Sequence, residues 1–227
     1  MENAVKRIGV LTSGGDAPGM NAAIRAVTRR ALSQGIEVVG ILGGYAGLLG
    51  AADESDPDVI REKHLRPLDA HSVSNIVTRG GTILYSSRCP EFKTEAGMAK
   101  ALRVCHEQSI DAIIAIGGDG TFRGATDLTN HGIPSIGIPG TIDNDITATE
   151  LTIGFDTALN TCLRMIDDLR DTAESHARCI ITEIMGNGCG LLALYTGIAA
   201  GAISIAIPEI PFLSLIHISE PTRRRGI

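Results

Sequence analysis

Tryptophan is absent, and all aromatic residues together make up only 3% of the 227-residue chain. A surface that stacks unpaired bases needs aromatic rings, so single-stranded nucleic-acid binding is disfavoured. Positive charge is also short, with 20 basic against 26 acidic residues and a net charge of −6. That argues against nonspecific nucleic-acid binding while leaving room for a local anion site. The five cysteines (89, 105, 162, 179 and 189) contain no CxxC pair, and their number is odd. Reduced thiols in a cytoplasmic protein fit this usage. The histidines form no HExxH or other metal-ligand spacing. The N-terminus, MENAVKRIGVLTSGG, turns to glycine too early for a signal peptide. Residues 184–208 carry no charge, but five glycines interrupt them. A buried helix near 190–201 followed by a strand at 203–207 is expected there, rather than a membrane span. The familiar nucleotide fingerprints GxxxxGK[ST] and GxGxxG are missing as well.

What is present is alternation. Apolar residues supply 44% of the chain, enough for a globular core. Short apolar runs at 7–12, 38–42, 111–116, 135–138, 178–184 and 203–207 read as buried strands. Residues 21–35, 95–108, 122–132 and 156–175 read as helices, the last with a stripe of Leu159, Cys162, Leu163, Ile166 and Leu169. Residues 43–90, rich in Gly, Asp and Ser, read as irregular. Strands alternating with helices predict an α/β fold with mostly parallel sheets and helices on both faces. A domain boundary is expected between 138 and 155.

Three strands run into glycine-rich loops: LTSGGDAPG (11–19), AIGGDGT (115–121) and GIPGTIDND (137–145). Tight turns need glycine in any case. Glycine also lets backbone N–H groups approach phosphate oxygens, and a following helix N-terminus adds a favourable dipole. Asp119 is a candidate Mg²⁺ contact, since Mg²⁺ takes one or two carboxylates together with substrate phosphates, and Asp145 could assist. Arg88 could neutralise a transferring phosphoryl group or be an ordinary solvated arginine.

Six motifs, LTSGGDAPGMNAAIR, RGGTILYSSR, IGGDGT, PGTIDNDI, TIGFDTAL and EIMG, occur in this order between residues 11 and 186. Together they resemble bacterial-type ATP-dependent 6-phosphofructokinases, in a match that runs from about residue 7 to 211. The resemblance implies two Rossmann-like three-layer αβα domains, the second incomplete. Residues 1–138 would bind ATP and 139–211 would form part of a fructose 6-phosphate domain. It implies that Gly15, Arg88, Cys89, Gly118, Asp119, Gly120 and Thr121 line the ATP site, with Asp119 on Mg²⁺. Thr141, Ile142, Asp143, Arg178, Met185, Gly186 and Asn187 would face the sugar phosphate. Asp143 would take the proton from the 1-hydroxyl, while Thr141 and Arg88 hold the transferring group. Arg25, Arg29 and Arg170 match basic effector-site positions, and Arg178 matches an arginine lent to a neighbouring subunit, which implies a homotetramer.

Departures are also visible. Asn187 replaces the arginine of an MGR motif. Ala70 and Ile203 stand where many members have an arginine and a glutamate of the effector site. Residues 212–227 read as a non-native tail, similar to a translated adaptor sequence, and the chain is expected to be a truncated, inactive fragment. By resemblance, pyrophosphate-using relatives carry aspartate at position 120 and lysine at 140. Glycine at both positions implies ATP as the donor. GGDGT alone also occurs in NAD and diacylglycerol kinases, and a non-catalytic nucleotide-binding protein is a further reading.

Overall fold

The computed structural model describes residues 5–211, so the expected tail at 212–227 lies outside the described residues. Two compact units meet between Phe155 and Asp156. Within the first run β1 (Arg7–Ser13), α1 (Met20–Leu32), β2 (Glu37–Ile41), α2 (Tyr45–Asp53), α3 (Pro57–Lys63), β3 (Leu65–Leu68), α4 (Glu95–Glu107), β4 (Ala112–Gly117), α5 (Asp119–Asn130), β5 (Ser135–Thr141) and β6 (Ile153–Gly154). Helix α6 (Phe155–Ser175) leads into the second unit, which also holds α7 (Leu191–Ala199).

The sheet order is β3-β2-β1-β4-β5-β6. All neighbours are parallel except β3, which runs antiparallel to β2 at the edge. Side-chain alternation along each strand divides the core. Ile8 and Val10 of β1 join Met20 and Ile24 of α1 on one face. Leu11 joins Tyr45 and Leu48 of α2, Ala101 of α4 and Leu128 of α5 on the other. This is the period-two consequence of pleating, and it yields the expected layers of helix, sheet and helix.

Three expectations need correction. Residues 43–90 are not irregular throughout, since they contain α2, α3 and β3. Two consecutive glycines, Gly43 and Gly44, precede α2 with positive φ. They make the sharp turn that lets α2 fold back onto the sheet, and in sequence they mask its Tyr45, Leu48, Leu49 pattern. Next, β5 is only partly covered, with Ile136 64% exposed. The third concerns the apolar runs 178–184 and 203–207, which do not form strands. Among the described residues the second unit has none. A strand persists only when a neighbour takes its backbone N–H and C=O groups, and these runs have no such partner among the described residues. Helix α7 forms as expected but buries one face alone, through Leu192, Thr196 and Gly197. No described helix is long and apolar enough to cross a membrane.

Candidate active site at the strand ends

The sheet reverses direction around β1. The chain passes from β1 to β2 on one side and later returns to β4 on the other. Such a switch point leaves a crevice beyond the carboxyl ends of the strands, where ligands of open α/β sheets bind. Strand register puts the three glycine-rich exits in one row there. Ser13 pairs with Gly117, and Gly117 with Pro139.

Short contacts hold the first two exits together. The Thr121 hydroxyl, in the first turn of α5, donates to the Ser13 carbonyl at 3.0 Å. A Cβ on Gly117 would come within 2.3 Å of that hydroxyl and 2.5 Å of the Ser13 carbonyl, so only glycine fits. Tyr45 braces the same turn from below. Its phenol donates to the Thr121 carbonyl at 2.6 Å, and its ring stacks on Phe92 with centroids 4.1 Å apart. Burial, assisted by Asp127, raises the Tyr45 pKa and keeps it a donor. The sequence reading missed this residue.

Asp119 opens α5 with Gly118 as its N-cap. Its exposed carboxylate pairs with Arg123 one turn later at 2.7 Å. No cluster of three potential ligands occurs among the described residues. A single exposed carboxylate at a helix start fits Mg²⁺ that arrives with a polyphosphate, which supplies the remaining oxygens. Beside it Gly120 is exposed, and a Cβ there would meet nothing within 4 Å.

The third exit touches the second, since a Cβ on Gly118 would lie 3.6 Å from Thr141. The Asp143 amide donates to the Thr141 hydroxyl oxygen at 3.2 Å, which leaves that O–H able to donate elsewhere. Asn144, with left-handed φ of 54°, closes the loop by accepting from the Thr152 amide at 2.8 Å and donating to the Glu150 carbonyl at 3.2 Å. Burial raises the Asp143 pKa, and the neighbouring Asp145 charge adds to the effect. The Ile142 side chain packs towards the core.

The segment 82–88 crosses over the end of β1. Ser86 donates to the Gly14 carbonyl at 2.6 Å, and Ser87 to the Gly43 carbonyl at 2.7 Å. Arg88 follows with an exposed side chain, and Cys89 packs against the core. Gly14, Gly15, Asp16, Thr82, Tyr85 and Ser86 surround an open pocket of about 330 Å³. A larger depression of about 480 Å³ lies at the opposite end of the strands, beside Arg7 and Glu37. It includes none of the glycine-rich exits.

The remaining sequence-derived residues belong to the second unit. Arg178 follows the left-handed Ala177 that ends α6, and its amide donates to the Ala173 carbonyl at 2.9 Å. Met185 is exposed. Gly186 opens a turn closed by the Cys189 amide at 2.8 Å, with Asn187 at φ 51°. Asparagine accepts that left-handed conformation readily. Of the expected effector residues, Arg25 and Arg29 lie one turn apart on α1. Arg170 sits on α6, where it bonds Asp167 at 3.0 Å and the Ala200 carbonyl at 2.7 Å.

Comparison with known proteins identifies the family. A family profile described as "Phosphofructokinase" matches residues 7–225. The chain is 54% identical over 205 residues to the ATP-dependent 6-phosphofructokinase of Halalkalibacterium halodurans, covering 90% of this chain and 60% of that protein. It is 52% identical over 208 residues to the ATP-dependent 6-phosphofructokinase of Streptococcus mutans, covering 92% and 58% respectively. It therefore spans about three-fifths of the length of these curated relatives. Among solved structures, phosphofructokinase from Saccharomyces cerevisiae superposes with a TM-score of 0.77 at 37% identity, covering 87% of this chain and 28% of that one. The Pichia pastoris enzyme in its T-state gives 0.76 at 33%, covering 94% and 25%. The match along nearly the whole chain, with the glycine-rich exits assembled at the switch point of the sheet, shows that this chain belongs to the phosphofructokinase family.

Proposed function

We propose that the chain carries the phosphoryl-transfer machinery of an ATP-dependent 6-phosphofructokinase, which moves the γ-phosphoryl group of ATP to the 1-hydroxyl of fructose 6-phosphate. The observation that carries this reading is the contact between the second and third exits, where Thr141 lies against Gly118. It brings the loop that suits a polyphosphate beside the loop that bears a carboxylate of raised pKa.

In this mechanism Gly15, Cys89 and residues 118–121 receive the nucleotide. The N-terminus of α5 directs its dipole at the phosphates. Asp119 would hold Mg²⁺, and the ion would supply positive charge to the transferring group. Asp143 accepts the proton of the acceptor hydroxyl. Burial and the neighbouring Asp145 charge raise its pKa, which strengthens it as a base. The Thr141 hydroxyl and the Arg88 guanidinium steady the phosphoryl oxygens, and positioning and charge do most of the work in such transfers. Ile142 contributes through its backbone. Arg178, Met185, Gly186 and Asn187 are assigned to the sugar phosphate. The exchange of guanidinium for amide at Asn187 removes one cation from that set.

On this reading the enzyme acts in the cytoplasm as a homotetramer, with Arg178 serving a neighbouring subunit, residues 1–138 binding ATP and residues 139–211 contributing to the acceptor site. Arg25, Arg29 and Arg170 are assigned to an effector site. The test is ADP release with Mg²⁺, ATP and fructose 6-phosphate, compared with NAD and diacylglycerol as acceptors, by an enzyme of the relatives' full length that carries residues 7–211 of this chain. The Halalkalibacterium halodurans relative is assayed in parallel. ADP release that depends on fructose 6-phosphate supports the assignment, and release with NAD or lipid instead refutes it.

A further inference from the structure

Tyr85 holds a left-handed backbone, with φ of 56°. That conformation is uncommon for any residue with a Cβ, and an aromatic ring does nothing to ease it. A relay of hydroxyls fixes it in place. The Leu84 amide donates to the Thr82 hydroxyl oxygen at 3.2 Å. The Thr82 and Thr12 hydroxyls meet at 2.8 Å, and Thr12 donates to the Tyr85 carbonyl at 2.8 Å. Thr12 and Leu84 are fully buried, so the turn cannot relax without disturbing the core. Strain held this firmly points to a use for the side chain.

Tyr85 is 65% exposed and lines the pocket beside Gly14, Gly15 and Asp16. Three side-chain hydroxyls border that pocket. Thr82 is engaged with Thr12, and Ser86 with the Gly14 carbonyl. The phenol of Tyr85 is the hydroxyl left to donate to a guest. The Asp16 carboxylate can only accept, so an anion there needs this donor or the Gly15 amide. We propose that Tyr85 is a phosphoryl-binding residue, its phenol donating to a phosphate oxygen of the bound substrate. This rests on the kinase reading above. A phosphate ester of the donor or of the acceptor sugar would satisfy the same chemistry.

The experiment is calorimetric titration of the wild-type chain, Tyr85→Phe and Tyr85→Gly with MgATP, fructose 6-phosphate and adenosine, alongside thermal unfolding. Loss of one charge-assisted hydrogen bond predicts that Tyr85→Phe weakens one of the two phosphate ligands roughly ten-fold or more. The ligand affected identifies the source of the phosphate, and adenosine binding stays unchanged. Tyr85→Gly should lose the same affinity while its Tm holds within about 3 °C of wild type or rises, because glycine adopts this φ freely. Wild-type affinity for both phosphate ligands in Tyr85→Phe overturns the assignment alone. So does a Tyr85→Gly variant whose lost affinity comes with a falling Tm while Tyr85→Phe binds normally. Failure of the wild-type chain to bind either phosphate ligand overturns both this assignment and the kinase reading beneath it.

Discussion

The Thr121 hydroxyl donates to the Ser13 carbonyl at 3.0 Å across the ends of β1 and α5. This bond joins two glycine-rich loops 108 residues apart in sequence, and both partners are buried. Thr121→Val keeps the shape and leaves the carbonyl without its donor. The expected cost is about 1–3 kcal/mol of stability, with weaker MgATP binding. Thr121→Ser should recover most of both. Urea unfolding and nucleotide titration check this, and equal stability in Val and Ser variants would remove the bond from the account.

Asn21 performs a similar service for the segment that leads to Arg88. Its buried amide donates to the carbonyls of Arg79 and Gly80, each at 3.1 Å, and accepts from the Ile83 amide at 2.8 Å. Asn21→Leu removes all three bonds at once. Roughly 2–4 kcal/mol of destabilisation is expected, together with faster hydrogen exchange at the Ile83 amide. An Ile83 amide that stays protected would show that the segment is held by something else.

How legible all this was in the sequence depended on distance along the chain. The strands β1, β2, β4 and β5 and the long helices announce themselves through local apolar spacing, and the three strand exits through their glycines. The contacts that make those exits one site do not. No local pattern says that Thr121 reaches Ser13, that Tyr45 braces the first turn of α5 or that Asn21 ties down Ile83, because topology creates each of these pairs. The runs 178–184 and 203–207 show the converse. Their composition suits a strand, but pairing requires a neighbour that composition cannot supply. Asp16 and Tyr85 escaped attention because a pocket wall carries no sequence period.

The Asp143 assignment predicts a pH dependence with a definite sign. A base works when deprotonated, so kcat/KM should fall as pH drops through the Asp143 pKa. Burial and the adjacent Asp145 both raise that pKa, so the acid limb should lie above the ordinary aspartate value of about 3.9. Asp145→Asn removes the like charge and should move the limb to lower pH. In an enzyme of the relatives' full length that carries this loop, Asp143→Asn should reduce turnover by ~10²–10⁴-fold with MgATP binding retained. Near-normal turnover in Asp143→Asn would exclude it as the base.

The choice of donor can be tested at Gly120. A Cβ there meets nothing within 4 Å, so its packing does not require glycine. It occupies the first turn of α5, where a negative charge is favourable to the helix itself. Gly120→Asp should therefore fold with an unchanged or slightly raised Tm. The same carboxylate would sit beside Asp119, where the nucleotide phosphates are assigned, and repel them. A like-charge interaction of about 1–2 kcal/mol at this exposed position corresponds to roughly ten-fold weaker MgATP binding. Pyrophosphate, which lacks a nucleoside and can settle further from the new charge, should lose less. Gly140 is a poorer probe, because a Cβ on that buried residue would lie 3.0 Å from Ile116 and Gly140→Lys would mix packing with charge. Titration of Gly120→Asp with both donors, read against its Tm, separates these effects. Undiminished MgATP affinity in a folded Gly120→Asp variant would show that the open space at Gly120 is not reserved for ATP.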